Sequence, residues 1–60
     1  MDNLSNKTGE KLQIGQQLLV KHEGKVRQGI VIKIFSEELD IKLEDGIIVR
    51  RKFWEVKKLN

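Results

Sequence analysis

The chain has no cysteine, one histidine and three aromatic residues among its 60. Without thiols it holds neither a disulfide nor a thiolate metal ligand. A single imidazole, His22, does not make a zinc site without other nitrogen or sulfur ligands. Neither a metal nor a cofactor is therefore expected. Long apolar runs are missing too: the longest, Leu18 to Val20, Ile30 to Ile32 and Ile47 to Val49, are three residues each. A membrane span needs about 20. The N-terminal MDNLSNKTGEK lacks the apolar stretch of a signal peptide. The expected setting is soluble, reducing and cytoplasmic, with no membrane partner.

Catalytic constellations are equally scarce. His22 has no serine, cysteine or carboxylate relay visible in the sequence. The acid pairs Glu37-Glu38 and Glu44-Asp45 lie at turns and lack the spacing of a calcium loop. Gly24, Gly29 and Gly46 are dispersed, each accounting for a turn or bend, so no glycine-rich loop cradles a phosphate. A binding protein is expected, not an enzyme, with no catalytic residue.

What is present is strand. Sixty residues make one domain at most, and a chain this short buries only about 60% of the surface its unfolded form exposes. Residues 1–12 are polar and aperiodic and are expected to be a flexible tail, with the folded domain over 13–60. Residues 17–22 (QLLVKH) end at the Glu23-Gly24 turn signal, and 25–35 (KVRQGIVIKIF) are dominated by β-branched residues that suit a pleated surface. Gly29 inside that run points to a bulge or bend. Residues 39–44 (LDIKLE) alternate, Asp45-Gly46 predicts a type I′ hairpin turn, and 47–51 (IIVRR) return. Residues 52–55 read as one helical turn and 56–59 as a short last strand. Five strands with short turns leave edges and faces that closure into a barrel covers. The pattern predicts a core of Leu19, Val26, Ile30, Ile32, Ile34, Leu39, Ile41, Leu43, Ile48, Phe53, Val56 and Leu59.

Ile14-Gly15, Leu18 to Lys21, Gln28-Gly29-Ile30-Val31, Asp40 to Leu43, Asp45-Gly46, Val56 and Leu59 follow one another in an order that resembles the SH3-like small barrels of the Tudor and KOW type. The likeness covers about residues 14–59 and implies an all-β, five-stranded antiparallel SH3-like barrel. The final segment, IIVRRKFWEVKKL, is similar to the C-terminal domain of retroviral integrases, a DNA-binding barrel in which a basic triplet follows the penultimate strand. Tudor domains that read methylated lysine or arginine use an aromatic cage. Here the first hairpin carries Lys25-Val26-Arg27 instead, and the aromatics are only Phe35, Phe53 and Trp54, so no such cage is expected.

Twelve basic and nine acidic residues give a net charge of +3, unevenly spread. Residues 36–46 hold five acids and one base (−4), and residues 47–60 hold five bases and one acid (+4). Arg50-Arg51-Lys52 is the densest basic cluster, followed by Lys57 and Lys58, while Lys21, Lys25 and Arg27 flank the first turn. On a strand, Arg50 and Lys52 point one way and Arg51 the other. Arginine offers planar bidentate contacts to phosphate. These eight residues are the expected contacts to a DNA or RNA backbone. Solvated edge charge, which deters aggregation, is the plainer reading of the same residues. An exposed Trp54 or Phe35 is a stacking platform for a base or an anchor for a protein. A protein partner is thus the alternative to nucleic acid.

Overall fold

The computed structural model describes residues 12–59. The expected tail lies outside the described residues except for Leu12, which packs against the core. The strands are β1 (Gln17–His22), β2 (Lys25–Ile34), β3 (Glu38–Leu43), β4 (Ile48–Lys52) and β5 (Lys57–Lys58), with a 3₁₀ turn over Phe53–Glu55 between the last two. All pair antiparallel in the order β4-β3-β2-β1-β5. The first four form a meander. The 3₁₀ turn carries the chain back so that β5 meets the far edge, with Leu18 opposite Lys58 and Leu19 opposite Lys57.

This all-β arrangement is compatible with a small barrel-like fold, but the expected closure is incomplete. β4 and β5 share no ladder, because β5 is only two residues long and pairs with β1 alone. A side chain reaches from β4 to β1. Arg51 on β4 donates from Nη2 to the Lys21 carbonyl of β1 at 3.1 Å and from Nη1 to the Arg50 carbonyl at 2.8 Å.

The buried core is Leu18, Val20, Val31, Leu39, Ile41, Leu43, Val49 and Val56, with Phe53 and Leu12 packed against it. The alternation of β3 and the inward position of Val56 are as expected. Leu19, Val26, Ile30, Ile32, Ile34 and Ile48 are not: all stand outside the buried set, and Val26 is 64% exposed. Leu59 is half-buried. In β1 and β4 the apolar triplets fit either phase, and the opposite one is used, placing Leu18, Val20 and Val49 inward. In β2 a bulge decides. Val31 lies opposite Ile41 and Lys33 opposite Asp40, so Ile32 is an extra residue. Upstream of it the odd positions Gly29 and Val31 face inward. Downstream the phase switches, and Ile34 shares the face of Leu39. The period-two string Ile30, Ile32, Ile34 is therefore not one face.

Gly29 does not itself bend the strand; the irregularity comes three residues later, at Ile32. A Cβ at Gly29 would stand 2.5 Å from Ile41 Cγ2 and 3.0 Å from the Lys42 carbonyl oxygen, so the position is reserved for close approach of β2 and β3. The turns also exchange roles. Glu23 (φ 53°) and Gly24 (φ 79°) supply the two positive φ angles of a type I′ turn. At Asp45-Gly46 only the glycine is positive (φ 92°). There Gly46 N–H donates to the Leu43 carbonyl at 2.9 Å and Leu43 N–H to the Ile47 carbonyl at 2.8 Å. This is a three-residue loop of the type I plus bulge kind, not the expected type I′ turn. The Asp45 carboxylate accepts from Ile47 N–H at 3.2 Å.

Candidate binding surface

The acidic and basic segments separated in the sequence meet in the β3–β4 ladder. Asp40 lies opposite Arg50 and Glu38 opposite Lys52. Arg50 makes a two-pronged contact with Asp40, Nε to Oδ1 at 2.8 Å and Nη2 to Oδ2 at 3.3 Å. Lys52 Nζ stands 4.0 Å from Glu38 Oε2. Arg27 reaches the loop after β3, with Asp45 at 2.9 Å and Glu44 at 3.5 Å. The hydrogen bond from Arg50 holds the Asp40 carboxyl below its ordinary range. The hydrogen bond from Arg27, aided by Ile47 N–H, does the same for Asp45. Arg27 and Arg50 are raised in turn, first by those same hydrogen bonds.

Of the eight cations expected to hold phosphate, Arg27, Arg50 and Lys52 thus face acids, and Arg51 is spent on the Lys21 carbonyl. Arg50 and Lys52 do share one face and Arg51 the other, in register with Asp40, Glu38 and Leu39. Lys58 lies opposite buried Leu18. Lys21, Lys25 and Lys57 make no ion pair with an acid among the described residues.

Two of these three are brought together. Leu19 opposite Lys57 and Lys21 opposite Val26 place all four on the outer face of β5, β1 and β2. A groove of about 370 Å³ runs here, walled by Leu19, Lys21, Val26, Trp54, Glu55 and Lys57. Trp54 is 48% exposed. The 3₁₀ turn that presents it is held by the Glu55 carboxylate, which accepts from Lys52 N–H at 2.8 Å. Phe53 packs inward on the core and meets the Trp54 ring edge to face, centroids 4.9 Å apart, so only one of the adjacent aromatics is left outside. Lys52 Nζ sits 5.6 Å from the Trp54 ring centroid. Phe35 is elsewhere, on the loop after β2, with the Arg50 guanidinium 4.4 Å from its ring centroid.

Leu19 and Val26, expected in the core, are walls of this groove. His22 lies at the first turn, 4.0 Å from Glu23. No cluster of three or more His, Asp or Glu suited to a metal occurs among the described residues. Among the same residues, no helix is long and apolar enough to cross a membrane. No protein-family model, no curated protein and no solved structure matches this chain.

Proposed function

We propose that this chain is a non-enzymatic, cytoplasmic module that binds nucleic acid, chiefly single strands, along the outer face of β5, β1 and β2. The observation that carries the reading is the β1–β5 ladder, which sets Lys21 and Lys57, distant in sequence, on one groove beside an exposed Trp54. Lysines without an ion-pair partner track a phosphate backbone, Glu55 in the same groove being held by Lys52 N–H, and an aromatic face stacks a base of any identity. No base-reading pattern is present, so binding is indifferent to sequence. An SH3-like barrel of the Tudor or KOW type is the finer fold reading that accompanies this function, supported by the meander and the return of the last strand to the first. A protein partner remains the second reading. It is favoured by the apolar walls Leu19 and Val26 on either side of the lysines.

The test is fluorescence anisotropy with labelled single- and double-stranded oligonucleotides at two salt concentrations. Two or three phosphate contacts give a slope of log affinity against log salt of about −2 on single strands. The lone tryptophan is quenched on binding if a base stacks on it. Lys21→Glu with Lys57→Glu abolishes binding, Trp54→Ala weakens it by about tenfold, and Arg50→Ala, which removes a cation already paired with Asp40, changes it by less than about twofold. No binding at low salt, or binding that ignores both salt and the double reversal, sinks the proposal in favour of a protein partner.

A further inference from the structure

The lysine groove has two walls, and they come from different parts of the chain. Leu19, Lys21 and Val26 stand on β1 and β2, while Trp54, Glu55 and Lys57 stand on the 3₁₀ turn and β5. At the Lys57 end the walls are tied by the β1–β5 ladder, Leu18 to Lys58 and Leu19 to Lys57, and by Leu59 N–H donating to the Gln17 carbonyl at 3.1 Å. The ladder ends there. Continued, its register would set Glu55 opposite Lys21, but Glu55 belongs to the 3₁₀ turn. A backbone carbonyl past the end of a ladder takes its donor from elsewhere. Arg51 supplies one. Its Nη2 donates to the Lys21 carbonyl at 3.1 Å, while Nη1 donates to the Arg50 carbonyl at 2.8 Å and fixes the guanidinium on its own strand.

We propose that Arg51 is a positioning residue of this groove, a clasp that holds the Trp54 turn against β1 so that Trp54 and Lys21 share one surface. Arg51 stands near the end of β4, just before the turn, and is not among the residues that wall the groove. Phe53 N–H binds the Glu37 carbonyl at 3.1 Å and the Phe53 ring packs on the core, which anchors the turn toward β3. The bond to Lys21 anchors it toward β1. A guanidinium suits the task, because its planar fork reaches two carbonyls in one orientation, whereas an ammonium is a point donor on a flexible stem. The middle member of the basic triplet thus serves the site without touching phosphate. The clasp shapes the groove whatever binds there; only its effect on affinity rests on the nucleic-acid reading.

Trp54 is the sole tryptophan, so its fluorescence reads the clasp in the free protein. Well below the melt, Arg51→Ala lowers Trp54 anisotropy and raises its quenching by acrylamide by up to about twofold, the limit for a ring already 48% exposed. Arg51→Lys, which keeps the charge and loses the fork, shifts both signals the same way and carries the reading if Arg51→Ala melts too early. Gly29→Ala, which strains β2 against β3 away from this groove, lowers the melt and leaves both signals unchanged, so lost stability alone does not imitate a lost clasp. With a labelled single-stranded oligonucleotide, Arg51→Ala weakens binding by about two- to tenfold, the cost of ordering a loosened side chain on binding. The slope of log affinity against log salt keeps its wild-type value, since no phosphate contact is removed. Trp54 signals that stay at wild-type values in both Arg51 variants overturn the proposal. So does a salt slope shallower by about one in Arg51→Ala, which marks a phosphate contact instead. A wild-type protein that binds no oligonucleotide sinks the nucleic-acid reading alone, and the fluorescence of the free protein still decides the clasp.

Discussion

The two hairpins of this protein divide its work. The second, β3 with β4, turns Leu39, Ile41, Leu43 and Val49 into the core and pairs Asp40 with Arg50 and Glu38 with Lys52 across its own ladder. It pairs most of its charges and buries most of its apolar residues, Lys42, Ile47 and Ile48 excepted. The first, β1 with β2, buries less of what it carries. β2 contributes Val31 alone to the buried apolar set, its isoleucines stand outside, and Lys21 and Lys25 of this hairpin face no acid. A basic cluster in a sequence is thus not a basic surface. Arg50-Arg51-Lys52 is the densest run of positive charge, yet its ladder partner neutralises two members and the third holds a carbonyl. Binding potential remains where folding left charge and aromatic surface unmatched.

The sharpest way to break this division is to truncate one isoleucine from each hairpin. Ile41 is fully buried between Val31 and Val49, its partners on the two flanking strands. Ile41→Ala should cost about 2–5 kcal/mol, and a domain this small has little more than about 3–5 kcal/mol in total. The variant should be unfolded or nearly so by thermal melt. Ile32→Ala, at the outward bulge, should cost under about 1 kcal/mol. Equal losses would show that the first hairpin buries its isoleucines after all. Next in size is Gly29→Ala, which forces a methyl against Ile41 Cγ2 and the Lys42 carbonyl. Overpacking of this kind costs about 1–3 kcal/mol. A melt unchanged from wild type would mean that β2 and β3 have slack where the structure shows contact.

How far the sequence reveals the fold follows the same line. β3 is legible residue by residue because Leu39, Ile41 and Leu43 alternate with charged neighbours, and charge fixes the outward phase. The order of elements and the single helical turn are legible too, and strand ends fall within one residue of their expected places, though β5 is two residues where four are expected. β2 is not, because Ile30, Val31 and Ile32 are all apolar and β-branched, so either face passes for the core. No residue type announces a bulge at Ile32. In β1 and β4 the triplets Leu18 to Val20 and Ile47 to Val49 leave the same ambiguity. Trp54, Lys21 and Lys57 can each be picked out by type. Their meeting on one groove depends on the β1–β5 register, and that register rests on just two residues of β5.

The turns sharpen the contrast with a gain instead of a loss. Glu23 holds φ 53°, a region that costs a side chain with a Cβ about 1–2 kcal/mol and that asparagine tolerates better. Glu23→Asn should stabilise the protein by about 0.5–1 kcal/mol and raise its melting temperature by a few degrees. The 4.0 Å contact to His22 that it removes is exposed on the glutamate side and worth little. The same logic gives no gain at Asp45, which is absent from the positive-φ positions and whose carboxylate binds Ile47 N–H and Arg27. A stabilised Asp45→Gly variant, or an unchanged Glu23→Asn variant, would reverse the assignment of the two turns.

The smallest expected effect is electrostatic and belongs to the second hairpin. Asp40 and Asp45 titrate below the ordinary 3.8 in the folded protein because guanidinium groups hydrogen-bond to them, Arg50 to the first and Arg27 to the second. The unfolded chain therefore binds protons more readily than the folded one as the pH drops. The stability these pairs contribute is fully present above the ordinary value and is lost as pH falls through the lowered folded values. Melting temperature should stay level from neutral pH to about 4 and decline below it, with the decline reduced in an Asp40→Asn/Asp45→Asn double variant. Each pair keeps one partner open to solvent, Arg50 in the first and Asp45 in the second, so added salt should also reduce the decline. Differential scanning calorimetry over a pH series measures both curves. A decline of the same size in the double variant would place the acid-sensitive groups outside the second hairpin, and its charges would then be as unspent as those of the first.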